Sequence, residues 1–248
     1  MADQLEILHR DDNLVAVFKP AGVATIPGRD ESESILEQLG RQLSIPSSGE
    51  ADPRVRVVHR LDKDTSGVLL FALNRGAQQH VSHQFQNNTV EKEYLALVRG
   101  RPSDKEGIVD APLAPHPASA KRMAVVKHGG RPARTQWRVE EAFRGFTLIR
   151  CFPKTGKTHQ IRVHLAHIAL PLAIDPLYSS SQPIFLSQFK RDYRPTRGET
   201  ERPLIARLTL HAEKLRLTNL DGHVLEIIAP LPKDFRAMLN QLRRHGRS

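Results

Sequence analysis

Two stretches of this sequence gather residues that can do chemistry. In the first, His59-Arg60-Leu61-Asp62 is followed by Lys63-Asp64 and then by the small run Thr65-Ser66-Gly67. A loop that feeds directly into a strand is a rigid place to hold a reactive carboxylate. The second is Lys154-Thr155-Gly156-Lys157-Thr158-His159-Gln160-Ile161-Arg162-Val163-His164. Here Thr158 reads as the N-cap of a helix. The start of that helix offers backbone N–H groups and a positive dipole end, with Lys157 beside it, which suits a phosphate. Arg162 follows four residues after Thr158, on or near the same helix face. Taken alone, each stretch also has a plainer reading: an Arg–Asp pair capping a turn, and a basic surface helix.

Other chemistries fit poorly. His159, His164 and His167 lack the His-Glu-x-x-His spacing and have no cysteine near them, so we expect no metal site. Gly156-Lys157-Thr158 is similar to the tail of a phosphate-binding P-loop, but Cys151 stands where that loop needs its first glycine. Ser66 has no Gly-x-Ser-x-Gly around it, so an acyl-transfer triad is unsupported.

These stretches must be positioned by the elements around them. Leu5–His9 and Asn13–Phe18 read as short strands, broken by Lys19-Pro20-Ala21-Gly22. Ser34–Leu43 has helical spacing, and Ile45–Pro53 reads as a loop. Gly67–Leu73 reads as a buried strand, Gly76–Gln86 as a helix and Glu93–Val98 as a strand. Lys121–Lys127, Arg134–Glu141 and Phe146–Phe152 read as strands joined by glycine-containing turns. Thr158–Ala169 reads as a helix, Ser179–Pro203 as an exposed excursion, and Leu204–Leu210, Leu215–Thr218 and Val224–Ile228 as strands. A last helix runs from about Lys233 to Arg243, with Pro232 near its start. Many strands, few helices and no βα alternation predict an α+β fold with a largely antiparallel sheet. No linker divides the chain, so a single domain over residues 1–248 is expected.

Composition narrows the partners. Among 248 residues, 37 Lys and Arg face 27 Asp and Glu, a formal charge of +10. Such a charge favours a polyanion, and binding that weakens with salt. Aromatics make up only 5%, too few for a surface built on base stacking. Cys151 is the only cysteine, so no internal disulfide can form. The longest apolar run, Val68–Leu73, is far short of the roughly 20 residues that span a bilayer. Met1–Arg10 carries Asp3 and Glu6 and lacks a signal-peptide core. A cytoplasmic enzyme or binding protein, expected to be a monomer away from membranes, remains.

Several segments together resemble one family, the RluA-type pseudouridine synthases. His59-Arg60-Leu61-Asp62 with Thr65-Ser66-Gly67 is similar to its signature, and Lys19-Pro20-Ala21-Gly22 to its opening motif. Glu93-Tyr94 is similar to its tyrosine-bearing strand, and Gly156 to His164 to its third motif. His211-Ala212 and Pro230-Leu231-Pro232 resemble its closing segment. The matches run in the family's order from about Leu5 to Leu239. The resemblance implies the pseudouridine synthase fold, a mixed and mainly antiparallel central sheet with a cleft and flanking helices and loops. Many relatives carry an N-terminal S4 RNA-binding domain. Only 18 residues precede Lys19 here, so the short form without that domain is expected. Lys157 stands where arginine is common, and Ile174 before Asp175 where glycine is usual.

The resemblance implies an RNA pseudouridine synthase, an isomerase acting on ribosomal RNA first and transfer RNA second. Converting uridine to pseudouridine breaks the N1–C1′ bond, turns the base and joins C5 to C1′. Composition is unchanged, so no cofactor is expected. A carboxylate nucleophile divides the task through a covalent intermediate, and the resemblance gives that role to Asp62. It gives Arg162 the role of pairing with Asp62 and keeping it ionised. Tyr94 would pack on the target base, its hydroxyl assisting removal of the C5 proton. The base must leave the stack, at a cost of a few kcal/mol. Arg60 would fill the space it vacates, with Lys157, Lys19 and His59 among the RNA-binding residues. A non-catalytic RNA-binding protein on the same scaffold is the main rival, and a base-releasing N-glycosidase a more distant one.

Overall fold

A computed structural model of the chain describes residues 4–28, 33–45, 54–194 and 200–246. Most of the expected loop Ile45–Pro53, and five residues of the excursion at 179–203, lie outside the described residues. In chain order the strands and helices are β1 (Ile7–Arg10), β2 (Leu14–Lys19), α1 (Ile35–Leu43), β3 (Arg56–Val57), β4 (Ser66–Ala72), α2 (Arg75–Gln86), β5 (Glu91–Arg99) and β6 (Glu106–Asp110). They continue with β7 (Leu113–His116), β8 (Ser119–Val125), β9 (Arg134–Phe143), β10 (Phe146–Pro153), α3 (Gln160–His167), β11 (Leu210–Thr218), β12 (Val224–Ile228) and α4 (Lys233–His245).

The chain divides into two units, each drawn from two stretches: Met1–Glu93 with His211–Pro230, and Tyr94–Leu210 with Leu231–Ser248. Two of the crossings fall inside strands β5 and β11. A sequence search for a flexible linker therefore has nothing to find.

In the first unit the strands run β1-β2-β4-β11, with β12 on β11 and β3 against β4. Every pairing is antiparallel except β4 with β11, where His211 lies opposite Ser66 and Ala212 opposite Gly67. β4 is buried along its whole length, which explains its unbroken apolar run. Leu14, Ala16, Val68 and Leu70 pack with Leu215, Leu217 and Ile227, and Ala77 and Val81 of α2 close over them. Asn74 starts α2 by accepting the Ala77 N–H at 2.9 Å. Ser34 and Glu37 form a reciprocal capping box at the start of α1.

The second unit has the antiparallel order β5-β10-β9-β6 and a separate β7–β8 hairpin. Period-two alternation covers its sheet on both faces. Leu95, Leu97 and Leu148 meet Phe235, Met238, Leu239 and Leu242 of α4. The alternate residues Ala96, Val98, Ile149 and Cys151 meet Ile161 and Leu165 of α3.

The α+β class with a mainly antiparallel sheet is as the sequence implies. Strands β3, β6 and β7 were not expected. The segment Leu204–Leu210 was expected as a strand and is irregular up to Leu210, with one bridge between Ile184 and Ile205. Its Thr209 hydroxyl donates to Leu97 O at 2.8 Å and accepts the Ile174 N–H at 3.2 Å.

Candidate active site

In the first unit Asp62 sits half-buried on a turn closed by Thr65 N–H donating to Asp62 O at 3.1 Å. The turn is gripped on both sides by residues 19–25. Thr25 Oγ1 donates to Leu61 O at 3.0 Å and accepts the Leu61 N–H at 3.3 Å. Gly22 N–H donates to Lys63 O at 3.0 Å. The Lys19 ammonium, 0% exposed, donates to Pro20 O at 2.9 Å, Lys63 O at 2.6 Å and Thr65 O at 2.9 Å. This corrects the expectation of Lys19 near a phosphate. Its donors are turned inward onto backbone carbonyls, and the opening motif serves as a brace for the aspartate turn.

His59 also departs from its expected contact with RNA. Its ring stacks on Phe85 with centroids 4.7 Å apart, and its Nε2 accepts the Leu70 N–H at 3.0 Å. Burial, helped by nearby Lys92, pushes the imidazole down to about 3, so it is neutral. Arg60 remains exposed. Behind the turn, Gly67 has φ +130°, and a Cβ there would lie 2.1 Å from Ala212 O. Only glycine lets β11 come this close. Ser66 Oγ donates to His211 Nδ1 at 3.0 Å, and His211 Nε2 donates to Ala229 O at 3.2 Å.

In the second unit Tyr94 opens the buried part of β5, half-buried, and packs against the cluster that holds Ile161 of α3. Arg162 is 4% exposed. Its Nε and Nη2 each donate at 2.8 Å to the carboxylate of Asp175, itself 0% exposed. Asp175 also accepts the Leu177 N–H at 2.9 Å. The helix starts later than expected. His159, with φ 55°, takes the cap position in place of Thr158, and Gln160 braces the preceding loop. Its Oε1 accepts the Thr155 hydroxyl at 2.6 Å and the Lys157 N–H at 3.0 Å, while Nε2 donates to Thr135 Oγ1 at 3.0 Å. Thr135 in turn faces His164 Nδ1 at 2.9 Å, and His164 Nε2 donates to Ala111 O at 3.0 Å. That chain fixes the neutral tautomer of His164, and burial holds its pKa down.

The sequence matches the RNA pseudouridylate synthase family over residues 13–167, more than half of the chain. The chain belongs to this family. It is 42% identical over 240 residues to ribosomal large subunit pseudouridine synthase D of Nitrosomonas europaea, covering 96% of this chain and 65% of that protein. It is 37% identical over 242 residues to ribosomal large subunit pseudouridine synthase C of Escherichia coli strain K12, covering 96% and 70%. The chain thus spans about two thirds of the length of these relatives. Among solved structures, human RNA pseudouridylate synthase domain containing 4 matches with TM-score 0.71 and 28% identity, over 96% of this chain and 93% of the other. The corresponding human domain containing 1 matches with TM-score 0.70 and 26% identity, over 92% and 84%. The RluA-type resemblance and the pseudouridine synthase fold are both borne out.

Within this family framework the structure adds residues that motif reading passed over. Thr25 and Tyr178 each hold a motif residue or its loop and lie outside the matched motifs, and Asp175, noted above only for the Ile174 before it, is the partner of Arg162. A second signal was available in the sequence and lies in the placement of charge. From Ala111 to Ile174 there are eleven Lys and Arg and only two acids, Glu140 and Glu141, a net +9 of the chain's +10. Glu140 engages Arg138 and Arg150, and Glu141 engages Arg243. Among the described residues no carboxylate pairs with Lys121, Lys127, Arg131, Lys154 or Lys157.

Proposed function

We propose that this chain is an RNA pseudouridine synthase that isomerises uridine in structured RNA, with Asp62 as its nucleophile. The observation that carries the reading is the aspartate turn. Five hydrogen bonds from Lys19, Gly22 and Thr25 fix its backbone, while Asp62 itself keeps partial exposure. A rigid turn with a reachable carboxylate is what covalent catalysis requires. Family membership supplies the reaction. Arg162 and Tyr94 complete the proposed catalytic set, Arg162 favouring the ionised carboxylate and Tyr94 meeting the base. Exposed Arg60 takes the place of the extruded nucleotide, and Lys157 meets phosphate.

Ribosomal RNA of the large subunit is the first candidate substrate, since the relatives named above are called ribosomal large subunit synthases. Transfer RNA is the second. The concentration of charge between Ala111 and Ile174 supports a polyanionic partner.

The test compares wild type with Asp62→Asn on ribosomal RNA lacking the modification. Pseudouridine is mapped by carbodiimide adducts and reverse-transcription stops, and RNA affinity by filter binding. The expected outcome is site-specific conversion by wild type, none by Asp62→Asn, and affinities within about threefold, since an exchange of one neutral-for-charged group costs little phosphate binding. Turnover by Asp62→Asn near the wild-type rate removes the nucleophile assignment. RNA binding without conversion by wild type favours the non-catalytic scaffold, and free uracil on chromatography favours an N-glycosidase.

A further inference from the structure

Tyr178 gathers more of the second unit's polar contacts than its place in a loop requires. Its backbone N–H reaches Asp175 Oδ1 at 3.3 Å, and the Arg162 guanidinium lies over its ring, Cζ 5.2 Å from the centroid. A second guanidinium, from Arg122 of β8, lies over the same ring at 5.3 Å. The hydroxyl accepts the Met123 N–H at 2.7 Å and faces His159 Nδ1 at 2.8 Å.

We propose that Tyr178 is a positioning residue for Arg162. A guanidinium is a plane, and orienting it takes one constraint in the plane and one across it. Asp175 supplies the first by taking both Nε and Nη2. The Tyr178 ring supplies the second, because a cation over an aromatic face is attracted by the ring quadrupole. Together they fix the direction in which the remaining Nη1 edge points. The hydroxyl anchors the ring itself. It ties the ring to β8 on one side and, through His159, to the left-handed cap of α3 on the other. Arg162 lies on that helix two residues into it. The same tyrosine therefore sets the tilt of the guanidinium and the start of the helix that carries it.

This inference rests on the reading of Arg162 as part of the catalytic set. A buried guanidinium that is 4% exposed does not serve as a phosphate contact, so its misorientation acts on the chemical step. Tyr178→Leu is expected to lower kcat at least tenfold while KM for the RNA stays within twofold. Tyr178→Phe keeps the ring and is expected to return kcat to within threefold of wild type. A folded Tyr178→Leu protein with wild-type kcat, a rise in KM with kcat held, or a Phe variant no better than Leu overturns the proposal. If Tyr178→Leu does not fold, the side-chain resonances of Arg162 decide. They should carry an upfield ring-current shift in wild type that Tyr178→Phe retains, and its absence in wild type overturns the proposal equally. Asp62→Asn run alongside separates the two failures. Turnover by that variant defeats the active-site reading, whereas its inactivity beside a fully active Tyr178→Leu defeats only the role given to Tyr178.

Discussion

A lysine is almost never fully buried unless its charge is matched. Lys19 meets that condition with three carbonyl oxygens, one for each ammonium hydrogen. Two of the three, from Lys63 and Thr65, belong to the turn that carries Asp62. Lys19→Met preserves the length of the stem and removes the donors, leaving buried acceptors unmatched. We expect a loss of about 2–4 kcal/mol in urea unfolding, with turnover falling further than RNA affinity because the turn loses its brace. An unchanged unfolding midpoint counts against that role. The sequence showed that Lys19-Pro20-Ala21-Gly22 mattered, since it sits in a motif. It did not show which way the ammonium points, because residue type alone favours solvent for lysine and only the path of a loop some 44 residues later turns it inward. Asp62 and Arg162 could be proposed from the sequence for the opposite reason: their spacing within short motifs is local. Thr25 and Tyr178 could not, because their value lies in distant partners, and Asp175 was noted only for the residue before it.

At the scale of elements, His59 fastens the start of the aspartate loop to two neighbours. It accepts a backbone N–H from β4 and stacks on Phe85 of α2. Accepting at Nε2 requires a neutral ring, consistent with a folded pKa of about 3 against the ordinary 6.5. The unfolded chain therefore binds a proton that the folded one refuses. The contribution of this group is fully present above pH 6.5 and is lost as pH falls toward 3. Urea unfolding at about pH 7.5 and about pH 5 should show lower stability at the acid value, and His59→Gln, which can still accept from Leu70, should reduce that difference. A variant with the wild-type pH dependence assigns the effect elsewhere. Elements with strong local signals were read well: the helical spacing of α1, the apolar run of β4 and the turn-bounded strand β10. Those with weak ones were not. β6 is mostly exposed and β7 contains Pro115, a residue that demotes a strand assignment. In α3 the expected Thr158 cap gave way to His159, and the Gln160 side chain makes four hydrogen bonds, two to the loop before the helix and two to β9.

For the molecule as a whole, charge is partitioned by stretch. Residues outside 111–174 carry a formal charge near neutrality, while that stretch carries +9. Total charge pointed to a polyanion from composition alone, and its location could have been counted in the same pass. Neutralising Lys121, Lys127 and Arg131 together, each to Gln, should flatten the slope of log K against log salt by about 2–3 for RNA, since each phosphate left without its cation lowers that slope by roughly 0.7–0.9. The same three-charge change at the exposed Arg10, Arg54 and Arg75 of the first unit should leave most of the slope in place. Equal effects from both sets would mean that affinity follows net charge and not its placement. Fold class was legible because hydrophobic periodicity reports layers. The division into two units was not, since the chain crosses between them within continuous strands.

The close approach of Gly67 to Ala212 has a bearing on the order of assembly. Ser66 and its partner His211 stand 145 positions apart, so the glycine edge of β4 is laid down long before the strand that covers it exists. A ribosome adding about 5–20 residues per second leaves that edge waiting for on the order of ten seconds. Throughout the interval the nascent first unit offers an unfinished sheet, which can close only once β11 has been made.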